Sequence, residues 1–163
     1  MSDKRVWVDA DACPGPIKEI VFRAAERTGI ETVCVANHAV RIPRSRFIRA
    51  VQVASGFDEA DTRIVESVAS GDLVITADVP LAARVVAAGA VALNPRGTLY
   101  TTNNIGDHLA QRDLMDELRS AGAVRGGPGA LGKAEIQRFA NELDKFLSAA
   151  SRSVSAGSLA RPQ

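Results

Sequence analysis

The stretch Val6-Trp7-Val8-Asp9-Ala10-Asp11-Ala12-Cys13-Pro14 governs how the rest of the chain is read. A short apolar strand runs straight into two carboxylates and then into the proline that opens the next element. In an open α/β sheet, ligands and catalytic groups collect where strands deliver their carboxyl ends. Two acids placed there repel each other, at a cost of roughly 4 kcal/mol for charges about 4 Å apart at an effective dielectric of about 20. A divalent cation, a shared proton or a basic partner has to offset that cost.

Size and charge narrow the setting. The chain has 163 residues, 46% of them hydrophobic and 4% aromatic. That length supports one domain with a real core and is short for two. The net charge is +1, which excludes a global electrostatic footprint for nucleic acid or acidic membranes, so any polyanion contact has to be local. Cys13 and Cys34 are the two thiols and form no C-x-x-C pattern, so neither a disulfide framework nor a zinc site is indicated. Met1 to Arg5 lead directly into the strand with no apolar segment of signal-peptide length, and no apolar run could span a bilayer. A soluble, cytoplasmic protein of a reducing compartment is expected.

Working outward from the first strand, apolar runs and helical repeats alternate. Gly15-Pro16-Ile17 opens a helix, with proline suited to its first turn, and Thr28-Gly29 closes it. Thr32–Ala36 reads as a buried strand, Ala50–Val53 as a short one, and Asp58–Ser70 as a helix. Asp72–Ile75 is a strand ending at Thr76-Ala77-Asp78. A helix over Pro80–Ala88 and a strand at Val91–Leu93 follow, ended by Asn94-Pro95-Arg96-Gly97. Asn103 or Asn104 is placed to cap a helix over Ile105–Ser120, Arg125 to Gly129 reads as a loop, and Lys133–Leu147 as an amphipathic helix. Residues 151–163 have almost nothing to bury and read as a disordered tail after a domain spanning 1–150. Strands alternating with helices predict a single-domain α/β/α sandwich around a mostly parallel sheet.

In that layout the acids fall in a pattern. Asp9 and Asp11 follow the first strand, and Asp78 follows the Leu73–Ile75 strand by a similar step. Asp58 and Asp61 lie three apart at a helix start and share one face. Parallel strands put their carboxyl ends at one edge, so these acids converge if the strands are neighbours. Oxygen ligands without accompanying His or Cys suit Mg²⁺ or Mn²⁺ rather than zinc. Such a metal polarises a phosphoryl oxygen and activates water. Thr76 and Asn37, each at a strand's carboxyl end, can support a ligand or a bound water. Each acid also has a plainer role: Asp58 as a helix cap, Asp61 on the helix dipole, Asp11 capping the helix near Gly15, and Asp72 in a turn. Cys13 reads as a small buried residue under the acidic loop, because residue 19 is Glu and no phosphate-binding C-x5-R loop exists. His38 and His108 default to polar surface roles.

Arg41, Arg44, Arg46 and Arg49 place four guanidinium groups in nine residues, with Phe47 among them. They read either as a solvated loop or as a grip on phosphate oxygens beside the acids, since guanidinium forks match phosphate geometry. Arg96 adds one more at a strand's carboxyl end.

The motifs Val8-Asp9-Ala10-Asp11-Ala12-Cys13-Pro14, Gly56-Phe57-Asp58-Glu59-Ala60-Asp61 and Gly71-Asp72 with Thr76-Ala77-Asp78-Val79-Pro80-Leu81-Ala82 occur in order. Asn94-Pro95-Arg96-Gly97 with Tyr100-Thr101, and then Gly126-Gly127-Pro128, follow them. Together they resemble the bacterial YaiI/YqxD family (UPF0178, DUF188) over residues 4 to 148. One departure is that Gly129-Ala130-Leu131 stands where the family usually has a charged residue, Pro and Phe. The family is similar to PIN-like domains, metal-dependent nucleases with an α/β/α sandwich and an acidic cluster at one sheet edge. That resemblance implies Asp9, Asp11, Asp58, Asp61 and Asp78 as metal-site candidates.

Two other readings compete. Val-x-Val-Asp9-x-Asp11 and the strand ending in Thr76 resemble haloacid-dehalogenase-type phosphatases. In those proteins, however, the second acidic motif follows the Thr strand with a lysine between them. Here Asp58 and Asp61 precede it, and no lysine occurs between Lys18 and Lys133. A non-catalytic RNA-binding module is the other. The reading favoured by the sequence is a Mg²⁺- or Mn²⁺-dependent nuclease acting on RNA rather than DNA. Asp9, Asp11, Asp78 and Thr76 are its expected catalytic groups, and Arg41, Arg44, Arg46, Arg49 and Arg96 its expected nucleic-acid contacts.

Overall fold

A computed structural model describes residues 3–56, 58–123 and 129–160, the last ten in backbone alone. Phe57, Arg125 and the Gly126-Gly127-Pro128 motif lie outside the described residues, as do residues 161–163 of the expected tail. The central strand is β1, Val6–Asp9, buried along its whole length because helices cover both its faces. It pairs in parallel with β2 (Thr32–Ala36) on one side and β4 (Leu73–Ile75) on the other. β3 (Ile48–Gln52) extends the sheet beyond β2, and β5 (Val91–Leu93) extends it beyond β4, both in parallel. A two-residue β6, Leu99–Tyr100, closes the far side antiparallel to β5, giving the order β3-β2-β1-β4-β5-β6 among the described residues. β6 is too short to leave a periodic signal and is absent from the sequence reading.

Side chains of β1 alternate between two cores. Val6 and Val8 join α1 (Gly15–Thr28) and α5 (Lys133–Ala160) on one face. Trp7 joins α2 (Glu59–Ser67) and α3 (Val79–Ala87) on the other, where α4 (Ile105–Ser120) packs on α3. The α/β/α sandwich with a mostly parallel sheet is therefore the observed architecture. α1 ends as its sequence requires: Gly29 takes φ 71° and its N–H returns to the Ala25 carbonyl. α5 is helical through Ala160, ten residues into the stretch read from composition as a tail. Among the described residues no helix is long and apolar enough to cross a membrane.

Two features fasten the amino edge of the sheet and the α5 layer. Asp72, 1% exposed just before β4, accepts hydrogen bonds from Arg5 N, Trp7 Nε1 and Ala69 N at 2.9–3.0 Å. It is a turn residue, as its sequence position suggests, and also ties the start of β1 to that of β4. Gly97 takes φ 97° where α5 crosses, and a Cβ there would lie 2.7 Å from that of Arg138.

A candidate metal-binding edge between β1 and β4

The chain leaves β1, builds β2 and β3 on one side, and returns through α2 to place β4 on the other. The carboxyl ends of β1 and β4 thus flank the point where strand order reverses, which is where open α/β sheets present a crevice. Asp9 is the last residue of β1, and Thr76 directly follows β4. The Thr76 hydroxyl donates to Asp9 Oδ2 at 2.8 Å and accepts from the Asp78 N–H at 3.0 Å. One buried hydroxyl therefore fixes the Asp9 carboxylate and the turn that carries Asp78.

Asp9 alternates with Val8 and so points toward the α2–α3 face. It is only 4% exposed. Burial raises its proton affinity, the Thr76 bond opposes that, and the Asp78 and Asp11 carboxylates raise it further. Asp61, in the first turn of α2, is pushed up to about 6 by burial and by Asp78, Asp9 and Asp58. Its carboxyl also hydrogen-bonds to that of Asp58. The carboxylates that act on Asp9 and Asp61 place Asp9, Asp58, Asp61 and Asp78 in one electrostatic cluster. No basic side chain is among the causes acting on Asp9 or Asp61.

The plainer roles divide unevenly. Asp78, for which the sequence suggests no capping role, caps α3, its Oδ1 accepting from Leu81 N at 3.2 Å, which leaves Oδ2. Asp58 stands at the N-cap of α2 but makes no side-chain cap bond there. It has φ 65°, a left-handed conformation uncommon outside glycine though tolerated by Asp. Its carboxylate turns to Asp61 instead. Asp11 caps no helix. It lies in a single 3₁₀ turn, Ala10–Ala12, and accepts from Asn37 N at 3.1 Å and from His38 Nδ1 at 2.6 Å. His38, read from sequence as a surface polar residue, is thus a partner of the acidic loop. The available signal was its position just past the carboxyl end of β2, the strand beside β1.

Among the described residues, no three His, Cys, Asp or Glu side chains stand close enough to cage an ion as they are. The donors at the edge are carboxylate and hydroxyl oxygens, the set that suits a hard divalent cation. Cys13 and Cys34 are not alternatives. Burial pushes their thiols up to about 12 and about 11, so both stay protonated beneath the loop.

The arginines do not gather at this edge. Arg46 precedes β3, and Arg49 is its second residue. Because β3 runs parallel to β1, its start lies at the amino edge, across the sheet from Asp9 and Asp78. Arg41 and Arg44 are exposed in the loop that carries the chain from one edge to the other. Arg96 does follow β5 at the carboxyl edge, but its guanidinium pairs with Glu135 at 2.5 Å and donates to the Gly129 carbonyl. A groove of about 630 Å³ between α1 and Pro43, lined by Phe22 and Arg23, lies on the α1 side of the sheet, away from α2 and α3.

Comparison with protein families gives a match over residues 7–149 to a family described as "Uncharacterized BCR, YaiI/YqxD family". The chain belongs to the YaiI/YqxD family. Its relatives there carry the name UPF0178 protein. The one from Dechloromonas aromatica is 59% identical over 143 residues, covering 88% of this chain and 95% of the relative. Those from Halorhodospira halophila and Alkalilimnicola ehrlichii are each 62% identical, covering 88% of this chain and 95% and 97% of their own. No solved structure matches the chain. The family match runs from the second residue of β1 through the other described strands and covers the whole acidic edge, and its description names no activity.

Proposed function

We propose that the edge between β1 and β4 binds Mg²⁺ or Mn²⁺ and hydrolyses phosphodiester bonds, with RNA favoured over DNA. The observation that carries this reading is the gathering of Asp9, Asp58, Asp61 and Asp78 at the reversal point, where burial and the neighbouring carboxylates raise the proton affinity of Asp9 and Asp61 and, among the described residues, no basic side chain opposes them. A structural carboxylate in this fold looks different: both oxygens of Asp72 accept from N–H donors, three in all.

Asp9 and Asp78 would hold the cation, through the oxygens that Thr76 and the α3 cap leave available. When bound, the cation supplies neutralising charge, polarises a phosphoryl oxygen and acidifies water. Asp61 is the side chain suited to take a proton from an attacking water, because its affinity of about 6 lies close to neutral pH. Thr76 holds the Asp9 carboxylate in one orientation. Asp11, anchored by His38 and Asn37, supports the loop and adds negative charge beside Asp9. The resemblance to PIN-like nucleases points the same way.

The test is incubation of the wild type and Asp9→Asn with mixed RNA and DNA oligonucleotides, with and without Mn²⁺. Mn²⁺-dependent cleavage of RNA by the wild type alone is expected. Equal cleavage by both proteins refutes the residue assignment. Phosphate release from monoesters points to a phosphatase, and absence of any cleavage or metal-dependent melting shift points to a binding module.

A further inference from the structure

The acidic edge makes the molecule electrically lopsided. Five aspartates (9, 11, 58, 61 and 78) belong to the carboxyl edge in a chain of net charge +1, so everything else carries +6. Part of that excess is organised at the amino edge. Arg5 precedes β1, Glu31 precedes β2 and Arg49 sits at the start of β3, so the three side chains line up across neighbouring strands. Arg5 Nε donates to Glu31 Oε2 at 3.0 Å and Arg49 Nε to Glu31 Oε1 at 3.2 Å. One carboxylate thereby holds two guanidinium groups by their Nε atoms. Among the described residues no further acceptor takes their Nη nitrogens.

Arg46 stands over the Phe47 ring, 5.0 Å from its centroid, and has no carboxylate partner among the described residues. Lys4 lies at the same edge, its side chain against Gly71. Of the acids there, Asp72 is buried and accepts three N–H bonds, Glu31 is the strut itself, Asp3 is exposed near the start of the chain, and Glu26 and Glu66 are exposed on the last turns of α1 and α2.

We propose that this amino edge is a docking surface for the phosphate backbone of single-stranded nucleic acid, gripped by Arg5, Arg46 and Arg49 at a place separate from the carboxylate cluster. Paired Nη groups fit phosphate oxygens in a fork, as a lysine ammonium does not. Both guanidinium groups are held at 3.0 and 3.2 Å from opposite oxygens of one carboxylate, and Arg46, just ahead of β3, extends this positive row beyond what one small anion would cover. The Arg46–Phe47 stack offers a flat platform of the kind that accepts any base. A lipid surface is a poorer fit, because the one exposed large apolar side chain among the described residues, Leu114, is on α4 rather than at this edge.

The surface does not depend on the acidic edge, and the test separates the two. Anisotropy of an end-labelled oligouridylate is measured in EDTA, so that no cation bridges RNA to the aspartates. Wild type and Asp9→Asn are expected to bind equally, with affinity falling steeply with salt. Arg46→Glu/Arg49→Glu is expected to weaken binding at least about tenfold and to reduce the salt slope by about 0.7 for each phosphate no longer neutralised. Arg46→Glu alone leaves the Glu31 strut intact and guards against a folding defect. Its expected loss is several-fold. Arg112→Glu on α4 controls for net charge and is expected to change affinity less than about threefold. The proposal is overturned if the wild type does not bind, if both Arg46 variants bind as the wild type does, or if Arg112→Glu weakens binding equally. Binding to anionic vesicles but not to RNA also overturns it.

Discussion

Replacing Asp61 with asparagine should stabilise the metal-free protein near neutral pH, although the substitution removes a charged group from a helix N-terminus. The Asp61 carboxyl is held at about 6 against its usual 3.8, so the folded state binds this proton more tightly than the unfolded state. Stability from this group is therefore fully present at low pH and falls as pH rises from about 4 to about 6. The shift corresponds to about 3 kcal/mol at 1.36 kcal/mol per unit. Asp61 is partly exposed, and solvent screening reduces that to on the order of 1 kcal/mol. Asparagine keeps a donor for Asp58 and removes the repulsion from Asp78 and Asp9. Thermal melts in EDTA should show the variant melting about 2–4 °C above the wild type near pH 8, with the two converging near pH 4. A variant that is less stable at both pH values, or more stable by the same amount at both, would refute the electrostatic account of this edge.

Other consequences are equally open to measurement. Asp72→Ala strands the buried Trp7 indole N–H and takes the acceptor from two part-buried backbone N–H groups, and should cost about 2–4 kcal/mol in urea unfolding. Gly97→Ala combines a φ of 97° with a Cβ 2.7 Å from that of Arg138, and should lower stability by roughly 1–3 kcal/mol. Cys13 and Cys34, held protonated by burial, should resist iodoacetamide at about pH 8 in the folded protein and react once urea unfolds it.

The strands that build the edge were legible because β1, β2 and β4 are covered on both faces and so appear as unbroken apolar runs. Asp9 and Asp78 were legible for the same reason, as the polar residues that end or follow those runs. What escaped depends on pairing between distant segments. β3 begins at Ile48 rather than Ala50, which brings Arg49 into the strand. The chain must return to the amino edge before a parallel strand can start, so arginines near the start of β3 cannot lie beside the acids at its far end. The left-handed backbone of Asp58 and the bond from His38 to Asp11 are tertiary events with no local pattern. Asn104 shows the limit of cap rules. It stands at the start of α4, but its side chain serves Thr101 N and the Leu99 carbonyl in the preceding turn.

The central claim is that the carboxylates between β1 and β4 hold a divalent cation. Calorimetric titration of Mn²⁺ into the wild type and into Asp9→Asn/Asp78→Asn tests it without any assumption about substrate. Saturable binding to the wild type, with proton release near pH 6 and at least about tenfold loss in the variant, is the predicted result. Absence of binding to the wild type, or undiminished binding to the variant, would contradict it.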